Sequence, residues 1–161
     1  MNNFPLEILV GDLLRRRKFR LSTAESCTGG LIGHRLTNVP GSSDYYLGGV
    51  IAYSNEVKMN QLGVKSETLE RFGAVSRETV LEMARGIRDL LKAEIGLSVS
   101  GIAGPGGGSP DKPVGLTWIG LSAIGYEQAW SYRWSGERLQ VKEQTAEQAL
   151  QLLVNFLETE G

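Results

Sequence analysis

The sequence predicts an α/β fold: a three-layer α/β/α arrangement in which helices cover both faces of a mixed sheet. Three observations carry this reading. Strand-like and helix-like runs alternate early in the chain. Two adjacent strand-like runs follow later, separated by one glycine. A long amphipathic run then closes the chain. Alternation implies crossover connections, and the adjacent runs imply an antiparallel hairpin.

The elements follow in order. Leu6, Leu9, Val10 and Leu13 recur at helical spacing, so residues 4–18 form a first helix. The basic run Arg15-Arg16-Arg17-Lys18 ends it, where cations complement the helix dipole; the competing reading is a nucleic-acid or localisation patch. Residues 20–25 form a strand and 29–38 a helix, followed by the loop Val39-Pro40-Gly41-Ser42-Ser43. Residues 46–53, with Val50 and Ile51 at their centre, read as a buried strand. Residues 55–62 and 66–72 are two short helices separated by Gly63.

Val80, Met83, Ala84, Ile87, Leu90 and Leu91 form a stripe at helical spacing. Ser76 is its N-cap, and Val75 with Val80 fits a hydrophobic staple. Residues 95–102 form a strand. Residues 103–113 are a Gly/Pro loop, too long for a plain connection and therefore read as functional. Residues 114–124 and 126–134 are the hairpin strands, joined at Gly125. The terminal helix spans 137–158, with Ala146, Leu150, Leu153 and Leu157 on one face.

Length and charge narrow the function classes. A chain of 161 residues, 41% hydrophobic, suits one domain over 1–161 with a sizeable core. With 17 basic and 18 acidic residues, net charge is −1, which provides no field for nucleic acid. No signal peptide and no bilayer-spanning apolar run is evident, so the expectation is a soluble cytoplasmic protein without a membrane partner. One cysteine, Cys27, excludes an internal disulfide. No Cys/His spacing resembles a metal site, and His34, the one histidine, reads as a helix-surface or interface residue. No metal and no cofactor is expected. Trp118, Trp130 and Trp134 fall on the late strands and read as core or dimer-face residues.

Three segments carry chemistry. The first is Ala24-Glu25-Ser26-Cys27-Thr28-Gly29-Gly30, at a strand-to-helix junction. Free N–H groups and the positive end of a helix dipole there suit an anion, or an oxygen that becomes one. Ser26 sits there as a nucleophile would, with Thr28, Gly29 and Gly30 as binding geometry. Cys27 is intrinsically the better nucleophile but needs an electropositive site. Ser22-x-x-Glu25 matches a capping box, but the surrounding run has strand character.

The second segment is Ala52-Tyr53-Ser54-Asn55-x-x-Lys58. If 46–53 is a central strand, Tyr53 and Asn55 fall at its ligand-binding end and Lys58 on the next helical turn. Lys58 is then the available general base, provided burial or a nearby cation depresses its pKa; the bland alternative is a solvated lysine. The third segment, Gly101 to Ser109, lacks both Walker A and G-x-G-x-x-G. Its glycines Gly104, Gly106, Gly107 and Gly108 still offer a nest of N–H groups for a phosphate or carboxylate.

AESCTGG, AYSNEVK, GAVS before a helix, SGIAGPGGGS…KPVG and SGER, in that order, resemble the C-terminal domain of the competence/damage-inducible CinA proteins. The resemblance runs from about residue 20 to Arg138. The larger CinA proteins carry a further N-terminal domain, for which 161 residues leave no room. The resemblance implies an amidohydrolase that converts nicotinamide mononucleotide and water to nicotinic acid mononucleotide and ammonia, in NAD recycling. It implies a serine–lysine pair, Ser26 and Lys58, with Tyr53 beside them, Asn55 in the site and Arg138 holding substrate. In that chemistry the Tyr53 phenol is expected to relay a proton or orient Lys58. It also implies a homodimer. Two rivals remain: a non-catalytic nucleotide-binding module and a Cys27-dependent amidase.

Overall fold

The computed structural model describes residues 4–160. Its strands are β1 (Leu21–Glu25), β2 (Tyr46–Ile51), β3 (Ile95–Gly101), β4 (Leu116–Ala123) and β5 (Tyr126–Arg133). They form one sheet in the order β2-β1-β3-β4-β5. β1 pairs in parallel with β2 and β3, while β3–β4 and β4–β5 are antiparallel. The sheet is therefore mixed, parallel where helices intervene and antiparallel across the hairpin.

Among the described residues, six α-helices flank it: α1 (Leu6–Arg17), α2 (Leu31–Thr37), α3 (Asn55–Leu62), α4 (Ser66–Phe72), α5 (Arg77–Leu91) and α6 (Arg138–Thr159). α1, α2 and α6 cover one face, over a core that includes Leu14, Ile32, Leu97, Ile119 and Leu153. Arg35 of α2 ties these three helices together, pairing with Glu7 of α1 and Glu147 of α6, each at 2.7 Å. α5 covers the other face with α3 and α4 beside it, over Ala24, Leu62, Val80, Met83 and Ile87.

The two faces differ in side-chain size, and strand alternation explains how. Ile95, Leu97 and Val99 of β3 point under α1 and α6. That leaves Gly96, Ser98 and Ser100 to α5, whose backbone comes down onto the sheet. Ser98 Oγ donates to the Val80 carbonyl at 2.6 Å and Ser100 Oγ to the Ala74 carbonyl at 2.8 Å. A Cβ on Gly120 would stand 2.6 Å from the same Val80 oxygen, and one on Gly96 would overlap the Ala84 oxygen. Gly96→Ala therefore lowers stability by about 3 kcal/mol through overpacking against a rigid backbone. A drop in the denaturant midpoint at unchanged m-value checks this.

Several local expectations shift. β2 is the sheet edge and not a buried strand, because β1 is its one partner. Its residues alternate between half-buried and exposed, and the strand stops at Ile51. β4 begins at Leu116, since Val114 and Gly115 form a turn in which the Gly115 N–H donates to the Ile102 carbonyl. Ser22 and Glu25 lie within β1, so they form no capping box. A capping box does close the start of α6, between Glu137 and Gln140, and it fixes Arg138 as the first helical residue. Ser76 caps α5 as expected, accepting from the Thr79 N–H at 3.2 Å.

Arg15 is bound within the fold, donating to the Gly41 carbonyl and covering the Tyr45 ring, so the basic run ends α1. His34 is exposed on α2. Trp118 packs toward α5 and Trp130 toward the opposite core, while Trp134 stacks on Tyr132 at 5.1 Å. No helix among the described residues is long and apolar enough to cross a membrane.

Candidate active site

All three parallel strands end at the same edge of the sheet. The chain leaves β1 toward β2 on one side and returns past it to β3 on the other. The carboxyl end of β1 is thus a topological switch point, where α/β sheets open a crevice. A cleft of about 290 Å³ lies there. β1 delivers Ser26 and Cys27, the end of β2 delivers Tyr53, and α3 delivers Asn55 and Lys58. The opposite wall is Ser100 to Gly104 with Gly106 and Gly107, and Arg138 stands at the side. Among the described residues, no acidic side chain lines the cleft.

Ser26 is the first residue beyond β1, and its N–H donates to the Val99 carbonyl at 3.0 Å. The Ser26 backbone is thereby fixed to β3, while its side chain falls on the α5 side of the sheet. The tight link Ala52-Tyr53-Ser54 turns α3 back over the strand ends. Ser54 caps α3, accepting from the Val57 N–H at 3.2 Å. Lys58, one turn in, is 1% exposed. Its Nζ lies 3.0 Å from Ser26 Oγ, 2.8 Å from the Ala52 carbonyl and 3.5 Å from the Tyr53 carbonyl. The solvated alternative for this lysine is overturned.

Burial holds Lys58 below the ordinary lysine range; Cys27 acts in the opposite sense and more weakly. A neutral lysine in this position places its two N–H groups on the two carbonyls. Its lone pair is then left for the Ser26 hydroxyl proton, which is the arrangement a general base requires.

The junction after Ser26 differs from expectation. Glu25 is 3% exposed. Its carboxylate accepts from Thr28 Oγ1 at 2.6 Å, Ile32 N at 2.9 Å and Gly33 N at 3.0 Å. The start of α2 is therefore satisfied from within the chain and does not stand open to a ligand. Thr28, expected to bind substrate, has its hydroxyl taken up by Glu25. Gly29 and Gly30 adopt φ of 58° and 103° and shape the turn, outside the cleft lining. Gly108 also lies outside it, packed against the Val114 backbone. Sequence reasoning missed Glu25. Its signal was a carboxylate ending an otherwise buried strand, a position that demands internal donors.

The glycine loop and α6 close the cleft. Arg138 donates from Nη1 to the Gly104 carbonyl at 2.7 Å and from Nη2 to Tyr53 Oη at 2.8 Å. It thus ties loop, α6 and the end of β2 together. Lys112 Nζ holds the far arm of the loop on the Phe72 carbonyl. Among the described residues, the amides of Gly104, Gly106 and Gly107 have no hydrogen-bond acceptor. Tyr53 is 61% exposed, and its phenol meets Arg138 and not Lys58. The expected role for that phenol beside Lys58 is corrected: only its carbonyl reaches the lysine. Cys27 is buried against the α2 and α6 core, and burial pushes its thiol up to about 12. It carries almost no thiolate at neutral pH.

The CinA C-terminal domain family model matches residues 3–157. The chain belongs to that family. A putative competence-damage inducible protein of Halothermothrix orenii is 52% identical over 149 residues, covering 92% of this chain and 36% of the relative. The chain spans about a third of the length of such curated CinA relatives. A CinA superfamily protein from Klebsiella pneumoniae superimposes with a TM-score of 0.92 at 37% identity, over 95% of this chain and 96% of that one. The competence/damage inducible protein CihA from Agrobacterium tumefaciens superimposes with a TM-score of 0.90 at 40% identity, over 99% of this chain and all of that one. The three-layer architecture is that of the CinA fold.

Proposed function

We propose that the protein is a nicotinamide-nucleotide amidohydrolase, converting nicotinamide mononucleotide and water to nicotinic acid mononucleotide and ammonia through a Ser26 acyl-enzyme. The observation that carries the chemistry is the buried Lys58 Nζ, 3.0 Å from Ser26 Oγ. The substrate class rests on the CinA resemblance, and an acid-free cleft beside Arg138 supports an anionic ligand.

Neutral Lys58 takes the Ser26 proton as Oγ attacks the carboxamide carbon, which the pyridinium charge already makes electrophilic. The C=O electrons move onto oxygen. Among the described residues, the amides of Cys27 and Thr28 in the turn after Ser26, or those of Gly104, Gly106 and Gly107 in the loop, are the unpartnered donors that are candidates for that oxyanion, and losing one such donor costs about 3 kcal/mol of barrier. Collapse expels the amine, and the Lys58 ammonium returns the proton, so ammonia leaves and Lys58 is neutral again. Water then attacks the ester with Lys58 as base, and Ser26 recovers its proton as the acid departs. Arg138, held by Tyr53 Oη and the Gly104 carbonyl, faces the anionic part of the substrate.

Ammonia release from nicotinamide mononucleotide by the purified protein tests the reading. Steady release supports it. Tight binding of the nucleotide with no release supports the non-catalytic module instead. Cys27→Ala retains ammonia release within about threefold, because a thiol with almost no thiolate at neutral pH is no nucleophile. Loss of turnover in that variant alone, with the fold intact by circular dichroism, would favour the thiol.

A further inference from the structure

We propose that Lys142 is a second cation for the substrate's phosphate, acting with Arg138 to make the site select a phosphate monoester over the phosphate-free nucleoside. This rests on the amidohydrolase reading for its substrate.

Arg138 and Lys142 are four residues apart on α6, so they project from the same face of the helix. Arg138 reaches over the cleft to Gly104 and Tyr53. Lys142 reaches the turn that follows Ser26: a Cβ on Gly29 would stand 3.9 Å from its Nζ. Its charge also acts on Cys27, the residue after Ser26, whose buried thiol lies against the α2 and α6 core. Arg138 lines the cleft, and Lys142, one helical turn further along α6, stands beside the turn at Gly29.

Lys142 is half-buried and, among the described residues, makes no ion pair and no hydrogen bond. The nearby Arg35, by contrast, is held by two carboxylates. Two like charges on adjacent turns repel, and an anion between them removes that cost. The proposed reaction needs such an anion to be held there. A phosphate beside Lys58 would favour the ammonium and disable the base. The phosphate of a mononucleotide must therefore sit away from the dyad, and α6 supplies the cations on that side. Arg138 already has two donors on protein oxygens, which leaves Lys142 as the uncommitted charge.

The test compares the full-length wild type with Lys142→Met and Lys142→Arg. Kinetics use nicotinamide mononucleotide, and calorimetry uses inorganic phosphate. Lys142→Met raises KM by about tenfold, the loss of one charge-assisted contact, with kcat within twofold. It weakens phosphate binding by a similar factor, and Lys142→Arg restores both. An unchanged KM, or a fall in kcat at constant KM, would overturn the assignment. If no variant, wild type included, releases ammonia, the amidohydrolase reading fails by itself. The phosphate arm then decides the question for Lys142, with weakened binding supporting the site and unchanged binding overturning it.

Discussion

Ser26→Ala loses ammonia release from nicotinamide mononucleotide by about 10³-fold or more in kcat, as expected when a nucleophile acting with its base is removed. The fold and the affinity for the nucleotide stay near wild type. The structure separates these effects. Alanine retains the N–H that pins the residue to the Val99 carbonyl, so the turn keeps its place on β3. What it removes is Oγ, whose hydrogen-bond partner is Lys58 Nζ. Ammonia release and calorimetric binding on the same preparation check both halves. Binding lost together with turnover would mean that Ser26 holds substrate and does not attack it.

Lys58→Met loses activity by about 10² to 10⁴-fold, the usual worth of a general base, and yet folds more stably than wild type near neutral pH. The sign follows from burial. The folded state holds Lys58 below its ordinary value, while the unfolded chain titrates near 10.4. Below the folded pKa both states carry the proton, and the folded state bears the full cost of a buried cation. Between the two values the unfolded state binds more protons, so stability rises with pH. Above both, the cost is gone. Methionine removes it at every pH.

The rate follows the same titration. It rises with pH as Lys58 loses its proton and levels off before the ordinary lysine value. Lys58→Arg, permanently charged and without a carboxylate in the cleft lining, is both inactive and destabilised. Thermal melts and pH–rate profiles of the three proteins check these statements. A flat wild-type profile would remove Lys58 as base.

Much of this was legible in the sequence, because alternation, caps and glycine punctuation report local geometry. The strands, the six helices and the mixed sheet follow from period and order. Ser26 and Lys58 stood out because a hydroxyl and an amine fell after successive strands of an α/β pattern. What escaped depends on contacts between distant segments. Lys58 is buried because α3 folds over strand ends, and no local pattern reports that. Glu25 lies in a strand of small and polar residues, and its donors come from the turn that follows and from a helix that begins six residues later. The apolar content of residues 46–53 predicts a buried strand, whereas their edge position follows from sheet order. Tyr53 meets Arg138 across 85 residues of sequence, which redirects its phenol from the base to the cation.

The central claim is that Ser26 becomes acylated. Wild-type protein mixed with nicotinamide mononucleotide and quenched in acid on the millisecond scale, then examined by peptide mass spectrometry, tests it most directly. The account predicts an adduct on the peptide containing Ser26, equal in mass to the substrate less ammonia, absent in Ser26→Ala and formed faster as Lys58 deprotonates. Steady ammonia release with no adduct at any time, or an adduct on Cys27, would contradict it.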